Sequence, residues 1–217
     1  MQQVKVFCVN VGTKYSVDYV YKLKNMVNRH LNLPHKFYCI TDTPEKYEYG
    51  IQCDENLDTW WNKISIFKYT GRCLYFDLDT IIHNTIDDLV KDEFTIVNPI
   101  WKNIEEAVFI EDRPDIDFSR CNSSVMSWKN EIRIYEKFMS NAEYYMLKYG
   151  GDDRFIDHEC AYKTYTNNLI YSYRDGVHWK DDSATFKYRK ELSVALFHQK
   201  PEITDMLDHD IVIDNWH

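Results

Sequence analysis

Two aspartates, Asp77 and Asp79, follow directly on the apolar run Cys73-Leu74-Tyr75-Phe76. In an extended backbone alternate residues project to the same side, so both carboxylates can face one ligand while Leu78 points into the core. Paired carboxylates at a rigid strand end suit an oxygen-loving divalent cation, a Lewis acid able to take up negative charge developing on a departing phosphate. A bare Asp-x-Asp is common on acidic surfaces; its place at the end of a buried strand sets this one apart. His198 ends a second apolar run, Val194-Ala195-Leu196-Phe197, and is followed by Lys200 and Pro201. An imidazole and an ammonium can therefore converge on one crevice.

These groups need strand ends to hold them. Val4 to Val9 reads as a buried first strand, and Ser16 can cap a helix whose Val20, Leu23, Val27 and Leu31 fall at helical spacing. A second strand, Phe37 to Ile40, follows Pro34. This β-α-β opening predicts a parallel sheet with its ligand crevice outside the carboxyl ends of the strands, where Asn10, Val11, Thr41 and Asp42 would sit. Trp60 to Tyr69 reads as a helix that Gly71 breaks before the strand Cys73 to Phe76. Phe94 to Val97 is strand-like, and Asn98 to Cys121 reads as loops at the crevice mouth. Glu131 to Tyr149 has the spacing of one longer helix, with Tyr135, Phe138, Ala142, Tyr145 and Tyr149 on one face and Gly150-Gly151 stopping it. Leu192 to Phe197 reads as the last core strand, and Tyr173 to Lys190 as an exposed insertion. Trp60 and Trp61, at helical spacing with Ile64 and Phe67, read as core contact area.

A chain of 217 residues is long enough to bury a sizeable core and short enough for one domain over 1–217. Its formal charge of −9, with no basic stripe, argues against nucleic acid as a partner. An acidic protein that holds a diphosphate needs local positive charge, from a bound cation or a few placed lysines. The six cysteines form no CxxC pair and several lie in apolar runs, so they read as reduced. No signal-peptide core and no apolar run near 18 residues is seen, which predicts a soluble, cytoplasmic protein without a transmembrane segment. The sequence leaves oligomeric state open.

Several segments, in this order, resemble the GT-A glycosyltransferases, specifically the glycogenin-like family-eight group and its small bacterial and phage relatives. They are Val9-Asn10-Val11-Gly12-Thr13-Lys14-Tyr15, Cys39-Ile40-Thr41-Asp42, Trp60-Trp61-Asn62-Lys63-Ile64, Leu74-Tyr75-Phe76-Asp77-Leu78-Asp79-Thr80, Asn122-Ser123-Ser124-Val125-Met126, Gly150-Gly151-Asp152-Asp153-Arg154-Phe155 and Phe197-His198-Gln199-Lys200-Pro201. The resemblance spans almost the whole chain. It implies a GT-A α/β domain with a Rossmann-like, mostly parallel central sheet flanked by helices. It further implies Mn²⁺, with Mg²⁺ as the alternative, held by Asp77, Asp79 and His198 against the diphosphate of a nucleotide-sugar donor, UDP-linked by analogy. Lys63 and Lys200 would contact phosphate or donor sugar, and Val9 and Val11 would border the base. The donor-binding set so implied is Val9, Asn10, Val11, Tyr15, Asp42, Lys63, Asp77, Leu78 and Lys200. Asn122 and Asp152, with Lys63, would face the reacting sugar, and transfer to a glycan, lipid-linked or protein acceptor would retain the anomeric configuration. Gln199 stands where the relatives usually have glycine, and Asp153 where they usually have glutamine.

Two rival chemistries meet obstacles in the same residues. A haloacid-dehalogenase-type phosphatase normally carries its Asp-x-Asp near the N-terminus with a glycine before the threonine, and here Asp79 precedes Thr80 directly after some seventy residues of β-α-β. A nucleotidyltransferase would want a glycine-rich basic loop after the first strand, for which Gly12-Thr13-Lys14 is thin. A non-catalytic carbohydrate- or nucleotide-binding module is the remaining alternative. His158-Glu159 lacks the second histidine of a zinc protease, since Tyr162 stands there.

Overall fold

The computed structural model describes residues 3–99, 119–166, 169–175, 185–198 and 201–217. β1 (Val4–Asn10), α1 (Val17–His30) and β2 (His35–Thr41) form the expected opening, with β1 and β2 parallel and in continuous register from Val4↔His35 to Asn10↔Thr41. Ser16 occupies the N-cap position of α1, but its side chain makes no capping hydrogen bond. β3 (Gly50–Gln52) extends the sheet on the far side of β2, and β4 (Arg72–Phe76) pairs with β1 on the other. After β5 (Thr80–Ile82) and β6 (Thr95–Val97), the longest strand, β7 (Asn122–Lys129), runs antiparallel between β4 and β6. α2 (Ile132–Met139), α3 (Ala142–Lys148) and α4 (Asp152–Glu159) precede β8 (Lys163–Thr164), which lies parallel to β6. The main sheet has the order β3-β2-β1-β4-β7-β6-β8, and among the described residues β7 alone opposes the common strand direction. β9 (Ile170–Ser172) and β12 (Val194–Leu196) join β5 in a three-stranded sheet, β10 (Arg174–Asp175) and β11 (Thr185–Phe186) make a short ribbon, and α5 (Asp210–Asn215) follows.

The two-residue side-chain period of the strands builds a core on each face of the main sheet. Val4, Val6 and Cys8 of β1, with Leu74 and Phe76 of β4, pack against α1 through Val20, Leu23, Met26 and Val27. Phe7, Cys73 and Tyr75 turn to the other face, where Trp61, Ile64, Ile66 and Phe67 meet Trp128, Phe138 and Phe155. Asp77, two residues after Tyr75, inherits that second face. All six cysteines are free thiols, five of them buried. Among the described residues no helix is long and apolar enough to cross a membrane.

Three local expectations change. The helix read over Trp60 to Tyr69 is a 3-10 helix, Thr59–Lys68, in which every residue from Trp61 to Phe67 is buried. Buried throughout that central stretch and exposed only at its ends, the segment runs as a narrow rod in place of an amphipathic α-helix, and Ser65 Oγ donates to Asn62 O at 2.7 Å within it. The single helix read over Glu131 to Tyr149 is broken into α2 and α3. Ser140 Oγ donates to Lys137 O at 2.6 Å and the Asn141 N–H to Phe138 O at 3.1 Å, so local bonds close the first helix. The predicted apolar face nevertheless stays on the core. Thirdly, β4 ends at Phe76 as expected, but Leu78 and Asp79 form a turn into β5 in place of the extended backbone expected to aim both carboxylates to one side. Leu78 is buried as expected. Residues 100–118 of the predicted crevice-mouth loops and 176–184 of the predicted insertion lie outside the described residues.

Candidate active site

A cleft of about 560 Å³ opens where β1 and β4 end, within the size range of small-molecule sites. One wall is the segment Val9 to Tyr15; the floor is Tyr75, Asp77, Leu78 and Asp79; Thr59, Trp60 and Lys63 of the 3-10 helix close the other side. Of the residues anticipated for donor and metal, Val9, Asn10, Val11, Tyr15, Lys63, Asp77, Leu78 and Asp79 all line it.

Asp77 sits where the β4–β7 ladder ends, its N–H donating to Ser124 O at 2.8 Å. Its carboxylate is gripped from two sides. Lys63 Nζ stands 2.9 Å from Oδ1 and 3.2 Å from Oδ2, and the Tyr75 hydroxyl donates to Oδ1 at 2.6 Å. Lys63 also donates to Ser123 Oγ at 3.1 Å and lies 3.7 Å from Asp152 Oδ2. Burial alone would lower the pKa of this ammonium, but the charges of Asp152 and then Asp77 outweigh it and hold it raised. Asp152 begins α4 and is itself buried. Burial, together with Asp153, pushes its carboxyl up to about 6 against the pull of Lys63. Among the described residues its Oδ2 has no hydrogen-bond partner.

Asp79 accepts the Tyr15 hydroxyl at 2.9 Å. Burial, and then the charge of Asp77, push its pKa up to about 6, while Tyr15, Lys14 and Lys63 pull the other way. The first wall is braced in turn. Asn10 Nδ2 donates to the Tyr47 hydroxyl at 2.9 Å, and the Gly12 N–H donates to Asp42 Oδ2 at 3.2 Å. Asp42 therefore shapes the loop from outside the cleft lining.

Other anticipated residues stand apart. Asn122 is half-buried, and its Oδ1 accepts the Ser124 N–H at 3.1 Å. β12 brings the chain back to the floor, with Phe197 N–H donating to Asp79 O at 2.8 Å, yet the His198 ring turns to Ser172, Nε2 lying 2.7 Å from Oγ. Among the described residues, no three His, Cys, Asp or Glu side chains are grouped to hold one ion. Lys200 and Gln199 lie outside the described residues. Reading Trp60 as core is corrected: Trp61 is buried and stacks on Phe138, whereas Trp60 is 52% exposed on the cleft wall. Tyr75 and Ser123 were missed. Tyr75 was within reach, since the strand period puts it on the face of Asp77; Ser123 carried no signal of its own.

The carboxylates of Asp77 and Asp79 line one cleft and are hard oxygen donors of the kind a divalent cation takes, and among the described residues Lys63 is the buried lysine beside Asp77. Two protein carboxylates completed by phosphate and water oxygens is a usual arrangement for Mg²⁺-like ions.

No protein-family model matches the chain, and no curated protein matches its sequence. Solved structures do match its fold. They include glycosyltransferase GlyE of Streptococcus pneumoniae TIGR4, at 13% identity and TM-score 0.52 over 76% of this chain and 46% of that one. The apo form of GlyE matches at 13% identity and TM-score 0.56, over 79% and 47%. An active-site mutant of LgtC matches at 8% identity and TM-score 0.59, over 92% and 89%. The chain thus spans about half the length of the GlyE structures. The architecture is a GT-A-type α/β fold with a mostly parallel central sheet.

Proposed function

We propose that this protein is a metal-dependent glycosyltransferase that moves a sugar from a nucleoside-diphosphate donor, UDP-linked in our reading, to a hydroxyl acceptor with net retention. The observation that carries the reading is the meeting of Asp77 and Asp79 with Lys63 in one cleft at the carboxyl ends of β1 and β4. The fold is one that nucleotide-sugar enzymes use, and the location is where open α/β sheets bind ligands.

In this reading Asp77 and Asp79 hold Mn²⁺ or Mg²⁺, joined by His198 once its ring turns from Ser172. Such an ion, when bound, would supply Lewis-acid stabilisation of the diphosphate. Lys63, buried and charged, places a positive group beside the same oxygens, and Lys200 adds a second. Val9 to Val11 border the base. Asp152 and Asn122 orient the sugar and the incoming hydroxyl, whose proton leaves with the diphosphate as the anomeric carbon changes oxygen partners. The acceptor is a glycan, lipid-linked or protein hydroxyl.

The test is a thermal-shift and donor-hydrolysis screen of UDP-, GDP- and CDP-sugars with Mn²⁺, Mg²⁺ or EDTA. One donor that stabilises the fold only with metal, with slow sugar release, is the expected result. Asp79→Ala should abolish both effects, and full turnover by that variant would refute the mechanism. Silence with every donor and metal would instead favour a non-catalytic binding module.

A further inference from the structure

Trp60 is the feature of the cleft that the chemistry above leaves unused. A single exposed aromatic on a protein surface is ordinary; three relationships make this one different. First, it lines the cleft, with about half its surface accessible, next to a tryptophan that the core has absorbed. Secondly, it stands three residues before Lys63 in a 3-10 helix, where residues three apart share a face. The two residues line the same cleft, with their backbones about 6 Å apart along the helix axis. Thirdly, the other wall, Val9 to Tyr15, begins with the apolar side chains of Val9 and Val11, and the Asn10 amide between them is taken up by the Tyr47 hydroxyl. A Cβ built on Gly12 would be 4.0 Å from Thr59 Cγ2, so loop and helix close together at that end.

We propose that Trp60 is the stacking wall for the planar base of a nucleoside diphosphate, held between its indole and the Val9–Gly12 segment while the diphosphate lies toward Lys63 and the aspartates. One 3-10 turn separates a flat apolar surface from a buried cation, the order in which a nucleotide presents its base, ribose and phosphates. Aromatic stacking accepts any base, since every base has a flat face to offer the indole. The inference rests on the donor reading of the preceding subsection.

The experiment is calorimetric titration of wild type, Trp60→Ala and Trp60→Phe with UDP, CDP, GDP and inorganic pyrophosphate in the presence of Mn²⁺, and with simple methyl glycosides. Circular dichroism and melting would check the fold, which an exposed side chain should scarcely affect. We expect Trp60→Ala to weaken nucleoside diphosphates by roughly ten-fold or more, Trp60→Phe to restore most of that, and pyrophosphate to bind all three proteins alike. Equal weakening of pyrophosphate, unchanged binding of every nucleotide, or an effect confined to the glycosides would each overturn the assignment. If wild type itself binds no nucleoside diphosphate, the donor reading falls and this inference with it; if wild type binds and Trp60→Ala binds equally well, only the role of Trp60 is lost.

Discussion

The Lys63 ammonium stands 2.9 Å from Asp77 and 3.7 Å from Asp152, tying the 3-10 helix to the end of β4 and the start of α4 through one buried charge. Breaking a buried ion pair from one side leaves charge without a partner, at a cost of about 3 kcal/mol or more. Lys63→Met should therefore lower unfolding stability by roughly that amount at neutral pH, read by urea denaturation. Adding Asp152→Asn should recover part of it. A destabilisation below ~1 kcal/mol would mean that the pair is solvated and contributes little.

Asp79 and Asp152, both pushed up to about 6 from an ordinary 3.8, set a pH dependence of definite sign. Between those values the folded protein holds protons that the unfolded chain has released, so these two groups make stability fall as pH rises from about 4 to about 6. Asp79→Asn removes one of them. In metal-free buffer its melting temperature should exceed that of wild type by a few degrees at pH 7.5, with the difference vanishing near pH 4. A constant difference at both pH values would contradict the assignment.

Tyr15 donates to Asp79 at 2.9 Å and packs its ring at 4.9 Å from that of Tyr19. Tyr15→Phe keeps the ring and deletes the hydroxyl, so it should cost about 1–2 kcal/mol. The same change should drive the Asp79 pKa further up, because that hydrogen bond holds it down. Titration of the Asp79 carboxyl by NMR would measure the shift, and an unmoved or lowered pKa would exclude the interaction.

Gly12 has φ of +81° where the first wall turns, a conformation that costs side-chain-bearing residues about 1–2 kcal/mol. Among the described residues beyond its chain neighbours, a Cβ there finds no atom nearer than 4.0 Å, so Gly12→Ala tests backbone strain without a clash. It should lose stability by about that amount, and Gly12→Asn should lose less, since asparagine tolerates this region. Equal stability of all three proteins in urea would mean that the loop readjusts freely.

What can be read without coordinates is what depends on short-range pattern. The helical spacing of Val20, Leu23 and Val27 between two apolar runs specified β1-α1-β2 and hence a parallel start. Asp77 and Asp79 stood at the end of a buried strand, and that placement survived although the second aspartate sits in a turn. Tertiary contacts decided the rest. Lys63 and Asp77 are fourteen residues apart, Lys63 and Ser123 sixty, and His198 meets Ser172 across two strands. Packing on several faces at once wound Thr59–Lys68 as a 3-10 helix, and that winding put Trp60 in the cleft and Trp61 in the core. Periodicity reports whether a side chain has a face to share with its near neighbours; the distant surface that it meets, and the partner waiting there for its charge, exist only once the chain has closed upon itself.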